Sequence, residues 1–478
     1  MNLGASVLQH HRTATRDGVY VDPAFTHQAA AAMHRDPTFT ATTQGAAYAQ
    51  LLYVDGGAAG GDRVVVATEE NWVYALDAVT GAAVWATPLA PPVPLRNLPC
   101  GDIDPLGVTG TPVIDAASRT LFLDAMTTPD GGTTKRHLLY ALSVDDGSLR
   151  AGFPLDVAAA LARLGLTFEA DVQGQRGALA IVGQTLYVPY GGLAGDCGAY
   201  HGWVLSVPLT NPAALTAWRT AAPAGGVWAP SGVASDGAAL YVATGNTAGT
   251  TTWGGGEAVI RLAPGAVFSG QPADYFAPPD WQTLDQSDQD VGSSGVVLFD
   301  VPGATPAQLA VALGKNGDAY LLDRGNLGGI GNGVATIPVA SSEIITAPAA
   351  YTTAMGTYVV FKGPGAACPG APGDLTAIAI GAAAPPTITT AWCASQQGTG
   401  SPIVTTLDGH AGAIVWGVGA EGDERLHGFD GDTGAVLFAG GGAGDGMPAG
   451  VSRFATPIAA KGRIFVAATN TVYAFTSQ

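Results

Sequence analysis

Apolar and polar residues alternate along most of the chain in short runs, and the runs come in pairs around a recurring turn. WVYALDAVTGAAVW (72–85), LLYALSVDDGSL (138–149) and LHGFDGDTGAVLF (426–438) each read as strand, D-x-x-T-G-like turn, strand, and TVYAFTSQ (471–478) repeats the first half. Alternation at period two predicts half-buried strands, and a turn between two such runs predicts a hairpin. Asp bonds the backbone of the turn and Gly accepts positive φ, so the punctuation has a mechanism. Upstream of the hairpins lie further strand pairs: TGTPVIDAASRTLFLDAM (109–126), RGALAIVGQTLYVPY (176–190), SGVASDGAALYVATGN (231–246), GSPIVTTLDGHAGAIVWGVGA (400–420) and ATPIAAKGRIFVAAT (455–469).

The unit is therefore four strands, repeated at roughly 45–60 residues, which is the spacing of propeller blades. Starts near residues 48, 109, 176, 228, 292, 346, 400 and 455 predict an all-β, eight-bladed β-propeller over residues 36–478. Residues 1–35 are expected to pack on it. The last unit has three strands before the chain stops, so the segment near 36–44 is expected to supply the fourth and close the ring, hiding sheet edges. DAYLLDRGNLGG (318–329) and LTAIAIGAAAPPTITTAW (375–392) depart from the repeat, and seven blades result if one of them is misread. The AAAAM run (29–33) after Phe25 predicts a short helix across the propeller's base. His10-His11, with no partner at metal spacing, predicts a solvated tail.

Composition narrows the picture. Gly (68) and Pro (32) are frequent, only 12% of residues are charged and 47% are hydrophobic, which suits a turn-rich β-protein with a large core and not a disordered chain. A net charge of −18 repels phosphate backbones and anionic membranes, so nucleic acid is excluded as a partner. No apolar run is long enough to span a membrane, and Met1-Asn2-Leu3-Gly4 opens no leader. A monomeric, exported chain is expected. Cys100, Cys197, Cys368 and Cys393 form no CxxC motif. In a propeller these four fall on one face, which favours Cys100–Cys197 and Cys368–Cys393 among the three connectivities four cysteines allow. Four free thiols in a reducing compartment are the competing reading.

That face also gathers unusual polar loops: NLPCGDID (97–104), QGQRG (173–177) with Arg176, DQSDQD (285–290), QQGTG (396–400) and SRF (452–454). Loops on a rigid scaffold concentrate binding residues, and a propeller mouth is a natural pocket for a small molecule or glycan.

VYALDAVTGAAVW (73–85) resembles the repeat of pyrroloquinoline quinone (PQQ) enzymes of the methanol dehydrogenase type, and also of a non-enzymatic outer-membrane assembly lipoprotein with the same blades. The resemblance covers nearly all of the chain beyond residue 48. GGVWAP (225–230) resembles the family segment whose Trp floors the quinone, which makes Trp228 that floor. YVATGN (241–246) resembles the one ending in a metal-binding Asn, here Asn246. DQDVG (288–292) resembles the catalytic-base stretch, with Asp288 or Asp290 as base, and GKNGDAYLLDR (314–324) carries Lys315 as the cation against the quinone. Arg176 joins Trp228 and Lys315 as a cofactor-binding candidate. GDCGAYHGW (195–203) is the weaker match to the metal-ligand segment, with Asp196 in place of a Glu. The resemblance implies PQQ, Ca²⁺ or a lanthanide on oxygen ligands, and oxidation of an alcohol or sugar hydroxyl. The departures are the absence of an adjacent Cys pair, of a clear metal Glu, of a full set of outer tryptophans and of a haem motif. Each residue also has a plain structural reading: Trp228 as core, Asn246 as a turn residue, Asp290 as a strand cap. A non-catalytic propeller that binds a protein, glycan or small ligand is the second function that the sequence supports.

Overall fold

The computed structural model describes residues 5–56 and 61–478. Its strands form eight sheets among the described residues, five of four strands and three of five. First strands run Leu52–Val54, Val113–Asp115, Ala180–Val182, Ala234–Ser235, Val296–Asp300, Ala349–Thr352, Ile403–Thr406 and Ile458–Ala460, a few residues after each expected start. The chain is an eight-bladed propeller, so the seven-blade count is set aside. The fifth blade breaks the repeat because the segment before its outer strand Ala335–Pro338 lends Gly329–Ile330 to the fourth blade, parallel to Tyr275–Ala277. The sixth keeps four strands although prolines replace its turn between Leu375–Gly381 and Thr387–Ala394.

The recurring turn works as its residues dictate. Asp77 Oδ1 accepts the N–H groups of Val79 and Thr80 and the Thr80 hydroxyl. Asp430 Oδ1 does the same for Asp432 and Thr433 in the seventh blade. The turn glycine also serves packing between blades. A Cβ at Gly434 would sit 2.7 Å from the Trp392 ring, and Trp392 Nε1 donates to Gly431 O at 2.9 Å. Trp85 repeats the arrangement against Gly147 and Val144 O in the next blade. A Trp on one blade thus docks over the turn of the following one.

His34–Arg35 supplies the eighth blade's outer strand, antiparallel to Phe475 and Thr476, just upstream of the expected 36–44. The helix, His27–Ala31, is capped by Thr26 Oγ1 and packs on the outer strand of the seventh blade, Val436–Ala439, rather than across the base. Residues 7–22 have the larger role. They circle inside the ring and hydrogen-bond the free edges of the innermost strands: Val7 to Tyr53, then Leu8 O to Ile114, Ala14 O to Ser235, Thr15 O to Leu298, Asp17 O to Ala350 and Gly18 O to Val404. Buried Arg16 ties this collar to the wall through Val233 O and Leu179 O at 2.9 Å each. Inner edges that would otherwise be unpaired N–H and C=O groups are satisfied this way. His10 and His11 therefore do not form a solvated tail. They are buried and stacked with ring centroids 4.3 Å apart, because the collar carries them into the channel.

Cys100–Cys197 and Cys368–Cys393 are both disulfide-bonded, with Cα separations of 6.1 and 5.6 Å. Among the described residues no helix is long and apolar enough to cross a membrane.

Candidate functional site

The site begins with a glycine. Gly245 follows the strand Leu240–Thr244, and a Cβ there would lie 2.8 Å from Asp290 Oδ1 and 3.0 Å from Trp228 Nε1. Only a residue without a side chain lets Asp290 and the indole meet beside that strand. The helix Trp281–Ser287 ends at Asp288 in the left-handed conformation (φ 53°), which turns the chain so that Asp290 points inward. Lys315 enters from the turn after Gln308–Leu313, anchored by its own N–H to Asp290 O at 3.0 Å.

Three other segments meet on the Asp290 carboxylate. Asp290 is 2% exposed. Its Oδ2 accepts from Lys315 Nζ at 2.8 Å and from Trp228 Nε1 at 3.1 Å, and its Oδ1 accepts from the Asn246 backbone N–H at 2.8 Å. Lys315 Nζ also lies 2.7 Å from Asp288 Oδ1 and 5.3 Å from the Trp228 ring centre. Burial pushes the Asp290 carboxyl above the ordinary range, with Lys315 opposing. Burial works against the Lys315 ammonium too, but Asp290 and Asp288 outweigh it and hold its pKa above the usual lysine value.

Arg176 lies over the indole, its Cζ 5.2 Å from the Trp228 ring and 5.1 Å from that of Phe454. Among the described residues no acceptor is bonded to its guanidinium. A pocket of about 420 Å³, its open mouth included, adjoins it on the propeller axis. Arg176, Arg453 and Phe454 line it, with His10 of the collar, Thr109 and Thr456. The collar thus contributes a histidine to the inside of the pocket.

The expected metal ligands do not converge in the same way. Asp196 stays on the exposed disulfide loop and accepts from Tyr200 OH at 2.5 Å, while Asn246 offers Asp290 its backbone N–H. Two buried carboxyls were not singled out in the sequence. Glu257 Oε2 accepts from Val291 N–H at 2.7 Å and Oε1 has no partner; burial, then the charge of Asp290, pushes its pKa well above the ordinary value. Glu69 Oε2 accepts from Gly107 N–H at 2.7 Å, and burial lifts its pKa to about 7. The signals were slight: an acid at each end of an apolar strand, after RVVVA (63–67) and before AVIRL (258–262).

No family model and no curated protein sequence matches the chain. Solved structures do. The quinohemoprotein alcohol dehydrogenase ADHIIG from Pseudomonas putida HK5 superposes with a TM-score of 0.65 at 13% identity, over 99% of this chain and 80% of that one. That of Comamonas testosteroni gives 0.61 at 15%, over 100% and 81%. A europium-containing methanol dehydrogenase gives 0.63 at 13%, over 99% and 98%. The fold is that of the quinoprotein dehydrogenases. On this propeller Trp228, Asn246, Asp288, Asp290 and Lys315 share one cluster and Arg176 adjoins it through the indole, whereas Asp196 accepts from Tyr200 OH.

The donor set suits a planar polyanion such as PQQ. It offers a flat indole, an unpaired guanidinium held between two rings and an ammonium on the same indole. It does not suit a hard divalent or trivalent cation, which wants six or more oxygen ligands. Among the described residues no three His, Cys, Asp or Glu side chains are grouped to hold one.

Proposed function

We propose that this protein is an exported quinoprotein-type oxidoreductase that binds PQQ at the propeller mouth and oxidises the hydroxyl of an alcohol or sugar. One observation carries the reading. Trp228, Asn246 and Lys315, spread over nearly ninety residues, converge on the buried carboxylate of Asp290, and Asp288 shares the Lys315 ammonium. When bound, the quinone would supply a two-electron acceptor for hydride. Trp228 provides the stacking face, and Arg176 and Lys315 meet the cofactor's negative charge. Asp290 takes the substrate's hydroxyl proton, which its raised pKa favours, and Lys315 holds that carboxylate in place. Asp288, whose side chain is 60% exposed, shares the ammonium and links the buried base to solvent. Two disulfides and the absence of free cysteines suit an oxidising compartment.

The bonding of Asp196 to Tyr200 OH and the lack of an adjacent Cys pair favour the second reading, a propeller that binds a ligand without turnover. Titration of the purified chain with PQQ, followed by tryptophan quenching, separates the two. Saturable binding lost in Trp228→Ala is expected, together with dye-coupled alcohol oxidation that falls about 10²-fold or more in Asp290→Ala. If PQQ does not bind, or if Asp290→Ala and Asp288→Ala both turn over like the wild type, the oxidoreductase reading is wrong.

A further inference from the structure

Around Asp290 the mouth is built of donors. Three N–H groups point at this carboxylate: the Lys315 ammonium at 2.8 Å, the Trp228 indole at 3.1 Å and the Asn246 backbone at 2.8 Å. A hard cation in the same place would face their hydrogens, and it needs the reverse, a shell of acceptors at about 2.3–2.6 Å. Of the carboxylates that could build such a shell, Glu257 keeps one oxygen, Oε1, without a partner, and each of the others accepts from a donor. Asp196 accepts from Tyr200 OH on the disulfide loop, and Glu257 Oε2 accepts from Val291 N–H. Asp288, the neighbouring carboxylate, is already bonded to Lys315 Nζ at 2.7 Å.

Lys315 meets every demand of the position. Two carboxylates and the face of Trp228 surround its ammonium, and its side chain is only 16% exposed. A point charge with three rotatable donors satisfies two carboxylates at once and sits over an aromatic ring. We infer that the Lys315 ammonium occupies the place of the metal ion expected from the resemblance, and that the Asp288–Asp290 pair works without a resident metal. The electrostatic part of the cation's role, neutralising the base and presenting positive charge to an electron-rich group above Trp228, then falls to an N–H donor aimed in advance. The inference concerns the site of the proposed oxidoreductase but stands on these contacts whether or not a quinone binds.

The test uses the full chain stripped with a chelator. Tb³⁺ is followed by emission excited through tryptophan, since Trp228 adjoins the position, and Ca²⁺ by calorimetry. Emission from the acidic surface is taken as the part that Asp290→Asn leaves unchanged. Wild type is expected to show no stoichiometric site sensitive to Asp290→Asn. Lys315→Met, which keeps the side chain's length and removes its charge, is expected to gain one, binding at least about tenfold tighter than wild type and losing it again when combined with Asp290→Asn. Lys315→Ala, checked by near-ultraviolet circular dichroism, repeats the measurement with a smaller side chain. A stoichiometric, Asp290-dependent site in wild type overturns the inference. So does the absence of any gain in both folded variants, because Lys315 would then not be standing where a cation could. PQQ titration separates this result from the proposed function. Binding that requires Ca²⁺ or a lanthanide sinks the inference and keeps the quinone, whereas no PQQ binding under any condition sinks the quinone and leaves the Tb³⁺ result to decide here.

Discussion

Two buried titratable groups make this fold respond to pH at single residues. His137 and Asp124 are each 1% exposed and lie between the second and third blades. His137 Nε2 faces Gln173 O at 2.9 Å, a carbonyl that can only accept, so this nitrogen carries hydrogen. Nδ1 faces Asp124 Oδ1 at 2.7 Å, and Asp124 Oδ2 accepts from Tyr190 OH at 2.8 Å. Burial opposes a charged imidazole, but Asp124 outweighs it and raises the pKa above 6.5. A raised histidine stabilises fully below the unfolded value and loses that contribution as pH rises through the folded one. Melting temperature is therefore expected to fall above pH 6.5 for this reason, and the fall should shrink in His137→Gln. Glu69 acts in the carboxylate range. Its pKa is raised from 4.5 to about 7 by burial, so the neutral form is the stable one. Its contribution is present below 4.5 and is lost between 4.5 and about 7; Glu69→Gln should flatten urea-unfolding free energy across that window. An unchanged slope in the variant would show that Glu69 does not carry this titration.

Between elements, the docking of a tryptophan over the next blade's turn is the repeated joint. Trp392 is 3% exposed and lies against Gly434, whereas Trp85 is half-buried against Gly147. Truncating a buried Trp leaves a cavity, so Trp392→Ala is expected to cost about 3–5 kcal/mol in chemical denaturation, and Trp85→Ala less. Gly434→Ala attacks the same joint from the other side, because its φ of 71° is left-handed and the new Cβ would meet the indole. A loss of about 1–3 kcal/mol is expected. If Gly434→Ala costs nothing, the glycine is serving only the hairpin and the joint is softer than drawn. The repeat motif was legible in the sequence because Asp, Thr and Gly act within a few residues. Its second use, as a seat for a tryptophan of the preceding blade, depends on how neighbouring blades are angled.

At the scale of the whole ring, the collar of residues 7–22 joins seven blades by hydrogen bonds to their inner strands, and His34–Arg35 closes the eighth. Deleting residues 5–22 would strip partners from those edges and expose the channel. The truncated chain is expected to lose cooperative melting and to aggregate, measured by calorimetry and light scattering. A soluble, cooperatively melting product would show that the blades close without the collar. Period-two alternation, the recurring turn and the spacing of the units determined the eight blades, since each strand's pattern follows from local burial on two faces of a sheet. The placing of the Cys residues on one face favoured, among three connectivities, the two disulfides that form. The motif residues Trp228, Asn246, Asp288, Asp290 and Lys315 could be named in advance, because short segments carried them. What the sequence did not hold was their mutual arrangement. Whether Asp290 meets a metal or an ammonium, whether Asp196 reaches it, and whether His10 is a tail or lines the axial pocket are decided by contacts between residues up to several hundred positions apart. Such contacts leave no periodic trace in the chain; they exist only once the ring has closed.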